Sequence, residues 1–133
     1  MVHGQVIKQG ISIDTANPPK PYEAVYLKNV SGKAVYTSEF SGNLFIGICV
    51  EEPVIYGTEV EGVVDASVGV CYEGIVDVKV AEAVNPTDVI TPTASGFKKA
   101  TSQQIPCGKV LRAAKSANDL TTIILVQQIA VPA

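Results

Sequence analysis

The thirteen residues from Val68 to Val80, VGVCYEGIVDVKV, carry the clearest structural signal in the chain. Val68, Val70, Tyr72, Val76, Val78 and Val80 recur at every second place, and Cys71, Glu73, Asp77 and Lys79 fall between them. Successive side chains of an extended strand point to opposite faces, so this alternation predicts a strand with one face on a core and the other toward water. Its β-branched residues suit a pleated surface. Gly74 interrupts the run and predicts a bulge or bend there.

Working outward, the same reasoning places further strands. Upstream are Glu23–Leu27, the turn NVSGK, Ala34–Thr37, the apolar run Leu44–Glu51 ended by Pro53, and Glu59–Val64. Downstream are Val89–Thr91, the turn TASG, Phe97–Ala100, Lys109–Ala113 and Leu120–Val131. The last is apolar on both faces around Ile123–Val126, which predicts a central strand covered on both sides. AEAVNPTD, residues 81–88, has room for one short helical turn. No stretch of eleven residues shows a helical period.

The chain also resembles itself. Ala24–Thr37 aligns with Asp88–Thr101, placing Val25 on Val89, Ser31 on Ser95 and Gly32 on Gly96. Gly47 then falls on Gly108, and GTEVEGVV (57–64) on NDLTTIIL (118–125). Each unit alone exposes an apolar face, and pairing the two buries both. The expected fold is all-β: a compact β-sandwich or barrel of two related meander units, residues 22–133, with an extended N-terminal arm, residues 1–21. Pro18, Pro19 and Pro21 exclude a helix in that arm. It carries one expected strand, Gln5–Ile13, and is either a loose terminus or a segment that crosses to a neighbour.

Composition narrows the function. The 133 residues include 47% hydrophobic and only 17% charged side chains, against roughly 25% charged in an average domain. A surface so poor in charge is suited to being covered by partners. The net charge is −3 and the cations are scattered, so nucleic-acid binding is not expected. No apolar run approaches the ~18 residues of a membrane span. The N-terminus lacks the apolar core of a signal peptide.

The chemistry-bearing residues are few. His3 is the single histidine, so Ser-His-Asp and Cys-His arrangements are not expected. Cys49, Cys71 and Cys107 fit no zinc spacing and are expected as free buried thiols, with one disulfide plus one free thiol as the alternative. Glu59 and Glu61 would share a strand face roughly 7 Å apart, the spacing of a carboxylate pair, but on a solvent-facing strand. Glycine-rich phosphate loops are absent from the sequence. The expectation is a protein that is not an enzyme, with no cofactor and no metal.

The span VEGVVDASVGVCYEGIVDVKVAEAVNPTDVITPTASGFKKATSQQIPCGKVLRAAKSANDLTTIILVQ (60–127), with SGKAVYTSEFSGNLFIGICVEE (31–52) upstream, resembles the small capsid decoration, or cement, proteins of tailed bacteriophages. The shared pattern is a V…V…G.V.V strand, a short Ala-containing segment, a D.V.P…G…A hairpin, a glycine-led strand and a final strand of alternating apolar residues. The Pro-rich Asn17–Pro21 segment and CGKVLRAA (107–114) depart from it.

The resemblance implies a structural protein of the virion, made in the host cytoplasm. It would bind the major capsid protein on the outer surface of the shell as homotrimers and stabilise that shell. Val2, His3, Gln5, Val6 and Ile7 are then the candidate arm residues touching the capsid or a neighbour. Removal of Met1–Gly10 is expected to spare the fold and weaken attachment. The alternative is another virion or cell-surface β-sandwich module, a tail component or glycan binder. Tyr22, Tyr26, Tyr36, Tyr56 and Tyr72 would then offer stacking faces.

Overall fold

The computed structural model describes residues 2–42, 44–101 and 106–126. Among them are ten strands and no helix: β1 (Val2–Asp14), β2 (Ala24–Val30), β3 (Lys33–Thr37), β4 (Phe45–Cys49), β5 (Val54–Ile55), β6 (Val63–Lys79), β7 (Val89–Thr93), β8 (Gly96–Lys99), β9 (Gly108–Val110) and β10 (Leu120–Leu125). The all-β expectation is met. Residues 81–88 form bends and a turn around a bridge from Val84 to Ala114, so the expected helical turn is absent.

Hydrogen bonding joins the strands in the order β1-β3-β2-β4-β6-β10-β9-β7-β8. β1 also pairs antiparallel with β6 from Val2↔Val76 to Asp14↔Val63. That second pairing closes β1-β3-β2-β4-β6 into a five-stranded barrel. The remaining strands repeat its plan. In the first unit a parallel contact, Ile13↔Tyr36, joins the entering strand to the second arm of the hairpin β2–β3. In the second unit, a parallel bridge, Val80↔Phe97, joins the end of β6 to the hairpin β7–β8. β4 and β9 then pair with the first hairpin strands, β2 and β7. The long β6 is thus the last strand of the first unit and the entering strand of the second.

The Val68–Val80 run makes this sharing possible. Gln5 pairs with Glu73 and Val6 with Cys71, so Tyr72 is an extra residue in β6, and Gly74 follows at φ +112°. One inserted residue exchanges the two faces of a strand. Before the bulge, Val64, Ala66, Val68 and Val70 face a core with Ile13, Val25, Tyr36 and Cys49. After it, Val76, Val78 and Val80 face a different core, shared with Ile90, Phe97, Val110, Ile123 and Leu125. Cys71, expected as a buried thiol, is fully buried in that second core beside Ile48. The valines expected on one face of one strand therefore serve two separate interiors. Each fully buried Val contributes roughly 1.5–3 kcal/mol of transfer free energy, so both interiors matter to stability.

Two glycines allow the close approach that the plan needs. A Cβ on Gly47 would lie 2.5 Å from the Cys71 carbonyl oxygen, and one on Gly108 would lie 2.3 Å from that of Ile124. Their expected equivalence is therefore physical. The last pair of segments matches differently from the sequence alignment. Thr15 N–H donates to Gly62 O in one unit and Val80 N–H to Asp119 O in the other, placing Gly62 on Asp119. The reason is loop length: 13 residues separate β4 from β6, but nine separate β9 from β10. An alignment by residue similarity absorbed that four-residue difference in the wrong place.

Candidate functional site

The four additional residues lie in the segment that contains β5, and this segment carries the most exposed large apolar side chains among the described residues. Val54 and Ile55 are each 59% exposed, Tyr56 63% and Val60 66%. β5 reaches only Ser67 and Ala66 on β6, and its other edge is unpaired among the described residues. Tyr56 and Gly57 N–H both donate to Asp65 O, which holds the strip against β6. Val60 and Val63 then close a two-residue turn with N···O distances of 2.8 and 3.1 Å. Glu61 and Gly62 occupy its corners at φ +54° and +80°, the primed geometry that suits hairpins.

This turn corrects the carboxylate expectation. Glu59 and Glu61 do not share a strand face; Glu61 sits at a turn corner, and Glu59 accepts a hydrogen bond from Thr15 Oγ1. The strip remains strongly acidic. Glu51, Glu52, Glu59, Glu61 and Asp65 flank it, and no Lys or Arg occurs between residues 50 and 78. Beside it, a groove of about 330 Å³ runs between this turn and the Ser31–Gly32 turn, lined by Ser12, Lys33, Thr58 and Asp65 among others. Ser12 Oγ donates to Asp65 at 2.9 Å.

A second exposed apolar area lies on the outside of the second unit. Thr121, Ile123 and Leu125 of β10 point inward, whereas Leu120, Ile124 and Val126 are exposed. On the outward face Thr122 is buried and donates to Asp77 at 2.7 Å, so the strand expected to be covered on both faces is only partly covered on this one; residues 127–131 of that expected strand lie outside the described residues. Ile124 stands between Ile75 of β6 and Lys109 of β9, and Val89 of β7 follows Lys109. Leu111 and Arg112, also exposed, continue this surface: Leu111 N–H donates to Thr122 O, and Thr121 Oγ1 donates to Arg112 O.

The candidate arm residues fall on β1. Val2 pairs with Val76, His3 with Ile75, Gln5 with Glu73, Val6 with Cys71 and Ile7 with Val70, all within one chain. Val6 is exposed. Asp14, at the far end of β1, is buried and bonded to Thr37 Oγ1 at 2.9 Å and to Ala16 N–H at 3.2 Å. Burial works to raise its pKa, but these donors and Lys28 outweigh it and hold the carboxyl below its ordinary value.

The thiols are free and buried. Burial pushes Cys49 up to about 11 and Cys107 up to about 12, and raises Cys71 as well. Neutral thiols are weak nucleophiles and poor ligands. Among the described residues, no group of three His, Cys, Asp or Glu is placed to hold a metal ion. The tyrosines divide. Tyr26 and Tyr36 are buried, and Tyr72 shares a 2.9 Å hydroxyl contact with Tyr36. Tyr22 and Tyr56 remain as exposed rings. Tyr26 lines a cleft of about 100 Å³ between the two units, and its buried hydroxyl has no hydrogen-bond partner among the described residues.

The β5 strip was not singled out from the sequence. The available signal was PVIYG between acidic residues, at the place where the two repeats differ in length. The chain matches no family model and no curated protein. The resemblance to decoration proteins therefore rests on the quoted residues alone.

Proposed function

We propose that this chain is a structural head-decoration protein of a tailed phage. It binds the major capsid protein on the outer surface of the shell, acts as a trimer and stabilises the virion. The observation that carries the reading is the β5 strip, whose apolar side chains are exposed at the point where one repeat is longer than the other. Exposed apolar clusters rimmed by polar residues mark contact surfaces. Many modest contacts of this kind, repeated over a shell, add through multivalency. The charge-poor composition and the motif resemblance support the same reading.

The test is co-sedimentation with heads of the phage that encodes the chain, before and after shell expansion. The expected result is saturable binding to expanded heads that is lost in Ile55→Asp. A folded protein that binds neither form of the head refutes the proposal. Retention on a glycan array by the same protein would favour the alternative module.

A further inference from the structure

The cleft between the two units shares no residue with the β5 strip. β2 contributes Ala24 and Tyr26 to it, and the β7–β8 hairpin contributes Ser95 and Phe97. Tyr26 is only 2% exposed, yet its hydroxyl has no hydrogen-bond partner among the described residues. An unpaired buried hydroxyl is costly, so a native one calls for an explanation. The shared plan of the units does not demand it. Val25 and Ile90 pair with the equivalent glycines Gly47 and Gly108, and the residue that follows is Tyr26 in one unit and Thr91 in the other.

The walls of the cleft restrict what fits. Glu23 and Lys79 line it 3.9 Å apart and cancel in charge, so an ion of either sign would meet a like charge. Burial raises the Tyr26 phenol above its ordinary pKa, with Cys107 adding to the shift, so its hydroxyl stays neutral and can both donate and accept. Ser38, Ser95 and Asn118 add further uncharged donors and acceptors, and Phe97 adds an apolar surface. The space is about 100 Å³, less than the roughly 150 Å³ that takes one benzene, so it admits a molecule of glycerol's size or one edge of a sugar ring. Two rings meet Tyr26 edge to face. Phe45, at 6.0 Å, packs against the second core, whereas Phe40, at 5.5 Å, is exposed and can give way as a ligand reaches the hydroxyl.

We propose that the cleft between the units binds a small uncharged polyhydroxyl molecule, no larger than a single sugar ring, through the Tyr26 hydroxyl. Such a ligand brings the donors and acceptors that the buried phenol and the neighbouring Ser and Asn side chains can pair with, and an apolar edge for Phe97. The same chemistry is offered by a free polyol and by the terminal ring of a glycan. The site does not rest on the decoration reading and needs no shell, so it stands or falls separately from head binding.

The test titrates the isotope-labelled full chain by NMR with glycerol and D-glucose, and with acetate and methylammonium as charged comparisons. The expected result is saturable amide shifts at Ser38, Ser95 and Asn118 with at least one neutral probe and with neither ion. For ligands of about six to twelve heavy atoms the expected Kd is on the order of 1 mM. Tyr26→Phe, checked for folding by circular dichroism, should weaken binding on the order of tenfold, because a hydrogen bond is lost. Ile55→Asp leaves the cleft intact and should bind the probes as the parent does. No saturable shift at these residues with either neutral probe overturns the proposal. So does a folded Tyr26→Phe that binds as the parent does, or acetate or methylammonium binding as well as the neutral probes. A glycan array separates the two sources: retention that Tyr26→Phe abolishes assigns the terminal ring of a glycan, and NMR shifts without retention assign a free polyol.

Discussion

Gly47→Ala and Gly108→Ala probe the shared plan of the two units at equivalent points. The new methyl would lie 2.5 Å from Cys71 O in the first case and 2.3 Å from Ile124 O in the second. Ordinary C···O contacts begin near about 3.3 Å, so each strand must retreat by roughly 1 Å. Strands sit about 4.8 Å apart, and a retreat of that size stretches ladder hydrogen bonds on both sides. Val70 Cγ1, 2.7 Å from the Gly47 methyl position, leaves little room to rotate away.

Overpacking costs about 1–3 kcal/mol, and each weakened hydrogen bond adds about 1 kcal/mol. The lower entropy of the unfolded alanine chain returns about 0.4–1 kcal/mol. The expected net loss is about 2–4 kcal/mol at either site. Urea unfolding followed by circular dichroism should show a midpoint lower by about 1–2 M at an m-value near 2 kcal/mol/M. Gly42→Ala, which meets only a ring atom at 3.9 Å, is the control and should stay within about 0.5 kcal/mol of the parent. Unfolding of both test variants within that same margin would show that the strands do not approach as described, and the pseudo-repeat would lose its physical basis.

Other perturbations have defined outcomes. Tyr36→Phe removes the hydroxyl that meets Tyr72 at 2.9 Å and should cost about 1 kcal/mol, whereas Tyr26→Phe removes a hydroxyl with no partner among the described residues and should be neutral or slightly stabilising. Equal losses for the two in urea unfolding would contradict these assignments. Asp14 has a depressed pKa in the fold, so its contribution is complete above the ordinary carboxylate value near about 4 and is lost as pH falls through the lower folded value. In Asp14→Asn, stability should drop at neutral pH and lose part of its acid dependence; an unchanged difference from the parent between pH 7 and pH 2 would refute this. Deletion of Met1–Gly10 removes nine pairs, Val2↔Val76 to Gly10↔Ser67, from the barrel's closing ladder. It should therefore lower the unfolding midpoint, contrary to the expectation that the fold is spared; an unchanged midpoint would restore the detachable-arm reading.

Local patterns in the chain made much of this architecture legible. Alternating valines, paired turn residues and the lack of a helical period dictate strands, because backbone geometry and side-chain spacing act over a few residues. The repeat was visible for the same reason: Gly47 and Gly108, and the hairpins at Gly32 and Gly96, mark equivalent positions with residues that local geometry restricts. Gly74 pointed to the irregularity in the central strand.

The consequence of that irregularity was not local. Val68 and Val76 have the same parity in sequence, yet they enter different cores, since Tyr72 is extra only relative to a partner strand about seventy residues away. Barrel closure likewise depends on β1 meeting both β3 and β6, a pairing that leaves no mark on the composition of any one strand. Exposure followed the same rule. Ile123 and Ile124 are neighbours with the same side chain; the pleat sends them to opposite faces, and only the packing of one face against the second core decides which is buried.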